Sequence, residues 1–308
     1  MKDTGPELLD VLRADACREP EGELERVWNQ YQAVRDVGAE PFTAAVLVGS
    51  RVDRLGFAFA VGYPAALQHL SPGTELPCAL CVTEDDGAHP RAMKTTLEAV
   101  QNGYALNGSK TFVTFGNLAK TLLVAAKVGS KPDGRPDLAL VRIPAGRAGV
   151  DLQTLPPTPF APEIPHARVE LRQVEVRETE RLPGDGFTQY VKPFRTIEDI
   201  HVLGAAIGYL IGVTRRARGS VLLLADLSAA LVALDWLRSV PPLDPRAHLV
   251  LQGIHQRIVG LVDGAELAQV WEAAPDEERK RWSRDRPLLD VAFRARRARF
   301  ERAKQELS

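Results

Sequence analysis

The chain has 308 residues, with 39 Lys and Arg against 40 Asp and Glu, a formal net charge of −1, and 45% hydrophobic and 26% charged residues. This is ordinary globular composition, and at roughly 100–200 residues per domain the length suggests two or three domains. It excludes disordered, collagenous and disulfide-scaffold classes, and the near-zero charge argues against a general nucleic-acid binder, which needs a net basic field.

Residues 1–75 read as helices with short breaks. Leu8, Leu9, Val11 and Leu12 form one apolar stripe, and Leu24, Val27, Trp28, Tyr31 and Val34 form another at helical spacing. Pro41 opens an Ala/Val-rich segment, a further helical stretch runs from Pro64 to Leu70, and Ser71-Pro72-Gly73 is a break. Over 76–189 the texture changes to short β-rich runs: CALCVTE, TTLEAV, YALNG–KTFVTF, TLLVAAKV, LALVRI, VDLQTL and ARVELRQVEV. Asn102-Gly103, Asn107-Gly108 and Asp133-Gly134 are the turn signals between them. These runs predict a central antiparallel β-barrel or sandwich. Residues 190–308 are helical again, with apolar helices near Ile200–Arg216, Val221–Val240 and Ala247–Trp271, and a basic amphipathic stretch over Glu278–Leu307. The predicted class is therefore α+β, in the order helices, β domain, helical bundle.

Three cysteines suit a reducing compartment. The N-terminus carries acids and Pro where a signal peptide needs an apolar stretch. No uncharged run reaches the ~18 residues of a membrane span, Leu203–Val213 being the best candidate. A soluble, cytoplasmic protein with no membrane span is expected.

Several motifs have plain structural readings. Cys78 and Cys81 form a C-x-x-C pair with no second pair, and on a strand residues three apart point to opposite faces, so no metal site is expected. His89 and His201 lack a nucleophile partner, and no H-E-x-x-H, P-loop or G-x-G-x-x-G pattern occurs. The Arg-rich end, RKRWSRDR–FRARRARFERAK, reads first as a solvated helix face packed on its aromatic side, and second as an anion-binding surface.

The most informative stretch is Cys81-Val82-Thr83-Glu84, followed by Gly103-Tyr104-Ala105-Leu106-Asn107-Gly108-Ser109-Lys110-Thr111-Phe112-Val113-Thr114. Two neighbouring strand ends that each present a Thr, with backbone amides and an aromatic, can accept a flat heterocycle. These residues resemble the middle domain of the acyl-CoA dehydrogenases. The likeness continues through Leu122–Ala126, Val169–Val176 and Leu182-Pro183-Gly184-Asp185-Gly186-Phe187, and covers roughly 60–235. It implies that fold, FAD as cofactor, an acyl-CoA or acyl-carrier thioester as substrate, and a homo-oligomer or a partner homologue. It also implies that Val82, Thr83, Phe112 and Thr114 line the flavin, with Thr114 near the reactive N5 edge, Thr83 at the pyrimidine end and Phe112 beside the ring.

The chain departs from the family pattern at several points. Counting forward from Arg284-Asp285, Phe293-Arg294-Ala295 stands where the usual Glu-Gly-Thr base motif is expected. In a second branch the base opens the first helix of the last domain, and Glu198 fits that register; a helix dipole equally favours Glu at such a position. The acyl-CoA loop reads Asp85-Asp86-Gly87-Ala88-His89-Pro90, and the segments that grip the cofactor's pyrophosphate and adenosine are missing. The expectation is a divergent, shortened flavoprotein that oxidises an acyl thioester with Glu198 as base. A non-catalytic binding or assembly relative and a flavin-dependent monooxygenase on the same fold are the alternatives.

Overall fold

A computed structural model describes residues 6–13 and 23–307; Cys17 lies outside the described residues. The chain divides into two compact units. The β unit comprises Leu70–Thr158 and Ile164–Arg195, and the helical unit Met1–His69, Pro159–Glu163 and Thr196–Ser308.

All seven β-rich runs become strands: β1 (Cys78–Cys81), β2 (Thr96–Val100), β3 (Gly103–Thr114), β4 (Thr121–Ser130), β5 (Pro136–Pro144), β6 (Val150–Thr154) and β7 (His166–Val176). They form one sheet in the order β1-β4-β2-β3-β7-β6, with β5 on the other edge of β4. Most pairs are antiparallel, but β1 and β2 both lie parallel to β4. One face is a continuous apolar layer that includes Ala79, Cys81, Leu97, Leu106, Leu122, Val124, Val141 and Val169. Asn102-Gly103 closes the β2–β3 hairpin and Asp133-Gly134 turns β4 into β5. Asn107-Gly108, expected as a turn, instead lies inside β3. Gly108 has φ +145°, where β3 shifts register against β7, and a Cβ there would stand 2.5 Å from the Thr95 hydroxyl oxygen. The glycine makes a close approach within a strand, which the dipeptide signal cannot distinguish from a reversal.

In the helical unit, Leu8–Leu12 is a 3₁₀ turn, followed by α1 (Leu24–Asp36), α2 (Pro41–Gly49) and α3 (Leu55–Leu70). α3 runs through Pro64 and begins nine residues before the expected Pro64 start. After the β unit come α4 (Lys192–Arg216), α5 (Val221–Leu237), α6 (Pro245–Val262), α7 (Ala265–Ala273), α8 (Asp276–Asp285) and α9 (Phe293–Leu307). The single helix expected over Ala247–Trp271 is broken at Asp263-Gly264, and the basic stretch is two helices joined by a 3₁₀ turn at Arg286–Asp290.

α2 and α4 pack at backbone distance. A Cβ on Gly204 would meet the Phe42 ring at 2.3 Å, one on Gly208 the Val46 carbonyl oxygen at 2.4 Å, and one on Gly212 the Ser50 carbonyl oxygen at 1.9 Å. Positions four apart on both helices form facing ridges, and glycine removes one ridge so that the other sinks in. The helical run Phe187–Arg216 is long and apolar enough to cross a membrane, the one such run among the described residues, and 89% of its apolar window is buried inside the protein, as in a core helix.

The expected solvated Arg face of the last helix is a correction. α9 turns Arg296, Arg299 and Ala303 inward, at 5%, 8% and 2% exposure, while Phe293 is 40% exposed. Asp199 of α4 supplies a buried carboxylate that both guanidiniums reach, so charge pairing overrides the hydrophobic pattern.

The strap Pro159–Glu163, between β6 and β7, packs in the helical unit. Ala161 N–H donates to the fully buried Asp285 carboxylate at 2.8 Å, and Arg284 bridges Asp285 at 2.6 Å and Glu163 at 3.1 Å. A Cβ on Gly56 would meet the Glu163 carboxylate at 2.3 Å.

Candidate functional site

The end of β1 runs into Val82, Thr83 and Glu84, and a short turn follows in which Glu84 and Gly87 exchange backbone hydrogen bonds at 3.0 and 2.8 Å. Glu84 is buried, and its carboxylate accepts from Lys110 Nζ (2.8 Å), the Lys94 N–H (2.7 Å), and both the N–H (3.1 Å) and hydroxyl (2.7 Å) of Thr95. Lys110 is fully buried and also donates to the Val82 carbonyl at 3.4 Å. Burial pushes the Glu84 carboxyl up, but the Lys110 ammonium and the Thr95 and Lys94 donors outweigh it and hold the group below its ordinary value. Burial pulls the Lys110 ammonium down against the attraction of Glu84. With four donors on the carboxylate the pair is ionised, and it pins the end of β1 to β2 and β3.

Thr111 N–H donates to the Thr83 carbonyl at 2.8 Å, which brings the end of β1 against β3. One residue later β3 bulges: three steps from Lys110 to Val113 face two on β7, from Val169 to Ala167, and Phe112 takes φ +55°. The bulge puts the Phe112 ring outward, 54% exposed and stacked on His166 with centroids 4.2 Å apart. Thr114 pairs with His166 across the β3–β7 ladder. Thr83 and Thr114 are half-buried, and neither hydroxyl is engaged by another described residue; Val82 is buried.

His166 is the part of this site that the sequence reading missed. Its stacking on Phe112 depends on the register across 54 residues, which no local signal carries. Burial lowers its pKa, which favours the neutral imidazole. The two histidines singled out from sequence are structural. His89 accepts the Arg91 N–H at 3.2 Å, and buried His201 donates to the Ile197 carbonyl at 2.7 Å, with burial pulling its pKa down to about 3. Cys78 and Cys81 are free and buried, Cys81 on the core face with Ala79, and burial pushes both thiols up to about 12. No cluster able to hold a metal ion occurs among the described residues.

Glu198 belongs to the helical unit, half-buried on α4. It was expected near a helix start, but the helical run begins at Phe187 with a π turn over Phe187–Val191. Pro193, which would break a helix interior, sits in the first turn of α4 just after that wide turn, where its missing N–H costs little. Glu198 therefore lies beyond the first turn, to which the dipole effect is confined, and the dipole does not account for it.

Residues 79–174 match the family model described as acyl-CoA dehydrogenase, middle domain. Over that segment the chain is similar to the acyl-CoA dehydrogenase middle domain. Curated proteins give no match to this sequence. Solved structures align over nearly all of it. One is described as PigA with FAD and proline (13% identity, 100% of this chain and 99% of that chain, TM-score 0.65). Another is the prolyl acyl carrier protein oxidase AnaB (17%, 95% and 93%, 0.64). A third is an acyl-CoA dehydrogenase from Geobacillus kaustophilus (15%, 98% and 93%, 0.62). At these identities the likeness is one of fold, and the fold is that of the acyl-CoA dehydrogenases.

The β-unit residues fit the ring of a flavin. Two half-buried hydroxyls without a partner among the described residues suit its polar edge, and the outward Phe112 suits its face. The rest of an FAD finds less in this acyl-CoA dehydrogenase fold. α4 and α5 are joined only by Ala217–Ser220, with Ser220 capping α5 through the Leu222 and Leu223 N–H groups. At 293–295, where the usual base was sought, α9 begins with Phe293-Arg294-Ala295 and offers no carboxylate.

Proposed function

We propose that this protein is a flavin-dependent oxidoreductase of the acyl-CoA dehydrogenase type that oxidises an acyl thioester, on CoA or on a carrier protein, at its α,β bond. The observation that carries the reading is the pair of unengaged hydroxyls, Thr83 and Thr114, beside the outward Phe112 ring. Thr83 and Thr114 hydrogen-bond the edge of the isoalloxazine, Val82 and Phe112 supply apolar contact, and the Glu84–Lys110 pair holds Thr83 in place. The bound flavin supplies a two-electron acceptor for the hydride from the β carbon. Glu198 takes the α proton, so that one proton and one hydride leave and a C=C bond forms. A carrier-bound thioester is favoured alongside CoA because AnaB, of the same fold, is an oxidase of a prolyl acyl carrier protein.

The second reading is a non-catalytic relative, favoured by the absence of a carboxylate at 293–295 and by the short α4–α5 connection. A visible spectrum of purified protein, before and after incubation with FAD and desalting, separates the two. Retained flavin bands, weakened in Thr83→Val and Thr114→Val, support the first; colourless protein in both states overturns it. With flavin retained, anaerobic bleaching by an acyl thioester should be lost in Glu198→Gln. Unchanged bleaching removes Glu198 from the role of base.

The reading includes self-association. α5 exposes Leu222, Ala225, Ala229, Val232 and Trp236, an apolar stripe with the three-and-four spacing of a helix-pairing seam. A continuous exposed apolar stripe of this kind is normally covered, and a second copy of this chain is the occupant proposed.

A further inference from the structure

The helical unit has a cleft that the flavin reading leaves unused. It lies between the 3₁₀ turn Leu8–Leu12, α1 and α2, and encloses about 520 Å³. α1 lines it with Gln30, Ala33, Val34 and Val37, the three-and-four spacing of one helix face. The buried residues of α1, Val27 and Tyr31, stand on a neighbouring face. α1 thus carries a second, largely apolar face, and Val37 at its end is 62% exposed. α2 closes the floor with buried Leu47, and Arg51 follows just past its end.

The polar groups on this wall are uncommitted. The guanidiniums of Arg13 and Arg51 pair with no other described residue, and neither does the Gln30 amide. Among the described residues Asp10 is the one carboxylate in the lining, and its Oδ2 accepts the Glu7 N–H at 2.8 Å, which caps its own turn. Two guanidiniums against one carboxylate leave an excess of one positive charge beside an apolar floor. Small-molecule sites combine these elements, an apolar wall and a few convergent polar groups, at volumes of about 300–1,000 Å³. A guanidinium recognises a carboxylate through two parallel N–H···O bonds.

We propose that the cleft binds a small monocarboxylic acid with an apolar body, aromatic or short-chain. Its carboxylate accepts from Arg13 and Arg51, with the Gln30 amide as a further donor, and its body covers Val34, Val37 and Leu47. One excess positive charge matches one carboxylate and falls short of what a phosphate ester needs. The carbonyl of a thioester carries no charge for the guanidiniums to meet, so this ligand is distinct from the substrate proposed above. The site belongs to the helical unit and does not rest on the flavin reading.

The test is fluorine NMR of para-fluorobenzoate titrated with the full-length protein, with para-fluorobenzyl alcohol as the same body without the charge. In the wild type the benzoate resonance should broaden and shift saturably, and the alcohol should bind at least about 10-fold more weakly. Arg51→Gln should weaken benzoate binding by about 10-fold. Arg13→Gln, at an exposed position, should do the same, and it carries the test if Arg51→Gln does not fold. A wild type that does not bind benzoate saturably, equal binding of the alcohol, or benzoate binding unchanged in a folded variant overturns the proposal. The last of these would place the benzoate elsewhere on the protein.

Discussion

Each unit buries a charge cluster, and the two are built to opposite rules. In the β unit one carboxylate, Glu84, meets one ammonium, Lys110, and receives three further donors from Lys94 and Thr95. In the helical unit one carboxylate, Asp199, is shared by two guanidiniums, and Arg296 keeps donors unpaired. The first arrangement is closed, with every charge answered inside the protein, and serves to hold a strand end in one position. In the second, Nε and Nη1 of Arg296 stay unmade although the guanidinium is buried beside a carboxylate. The number of buried charges says less than whether the donors and acceptors balance.

The contrast is broken most severely by removing the central ion-pair partner from either cluster. Lys110→Met leaves the buried Glu84 carboxylate without its ammonium, and Asp199→Asn leaves Arg296 and Arg299 without the carboxylate between them. Each should cost about 3–5 kcal/mol of unfolding free energy in urea titrations. A loss below ~1 kcal/mol in Lys110→Met would mean that Glu84 is satisfied by its backbone and Thr95 donors alone.

Acid should act on the β-unit cluster in a defined direction. The folded pKa of Glu84 lies below its ordinary value of 4.5, so its contribution to stability is complete above that value and is lost as pH falls through the lowered folded pKa. The urea midpoint should therefore fall between pH 5 and strongly acid pH in the wild type. In Lys110→Met this pH dependence should shrink, because the depressing charge is gone. An equal pH dependence in both proteins would assign it to other carboxylates.

A smaller effect separates ionic from steric anchoring in the helical unit. Gly208→Ala places a methyl group 2.4 Å from the Val46 carbonyl oxygen, and α2 must move off α4 at a cost of about 1–3 kcal/mol. Urea titration of this variant should show that loss, and a loss below ~0.5 kcal/mol would mean that the two backbones part freely. Val232→Glu should leave the monomer's unfolding within ~0.5 kcal/mol, since the side chain is half exposed, and should shift sedimentation toward the monomer. A sedimentation profile unchanged from the wild type would clear α5 of a role in self-association.

The sequence was most legible where structure is local. All seven strands follow runs of β-forming residues, and Asn102-Gly103 and Asp133-Gly134 turn where they should, because a short reversal is decided by its own residues. Asn107-Gly108 misled because Gly108 answers to Thr95, a neighbour brought in by pairing. Thr83, Phe112 and Thr114 were singled out through a motif, and Thr111, next to Phe112, bonds the Thr83 carbonyl; His166, across the ladder, had no local mark. The inward face of α9 was illegible for a related reason. Arg at helical spacing reads as solvated until Asp199, about a hundred residues earlier, comes into contact with it.

The strap over Pro159–Glu163 bears on how such a protein can be divided. The chain passes between the units at His69–Leu70, Thr158–Pro159, Glu163–Ile164 and Arg195–Thr196, so neither unit is one uninterrupted stretch. The segment that carries the family likeness, 79–174, includes the strap, while the strap's anchor Asp285 follows Ala161 by 124 residues. A fragment cut to the recognisable domain would carry the strap without its anchor and leave the Asp285 carboxylate without the Ala161 amide. What is modular in ancestry is here not modular in folding, and gene fusions or truncations that respect the family boundary would cut through a structural joint.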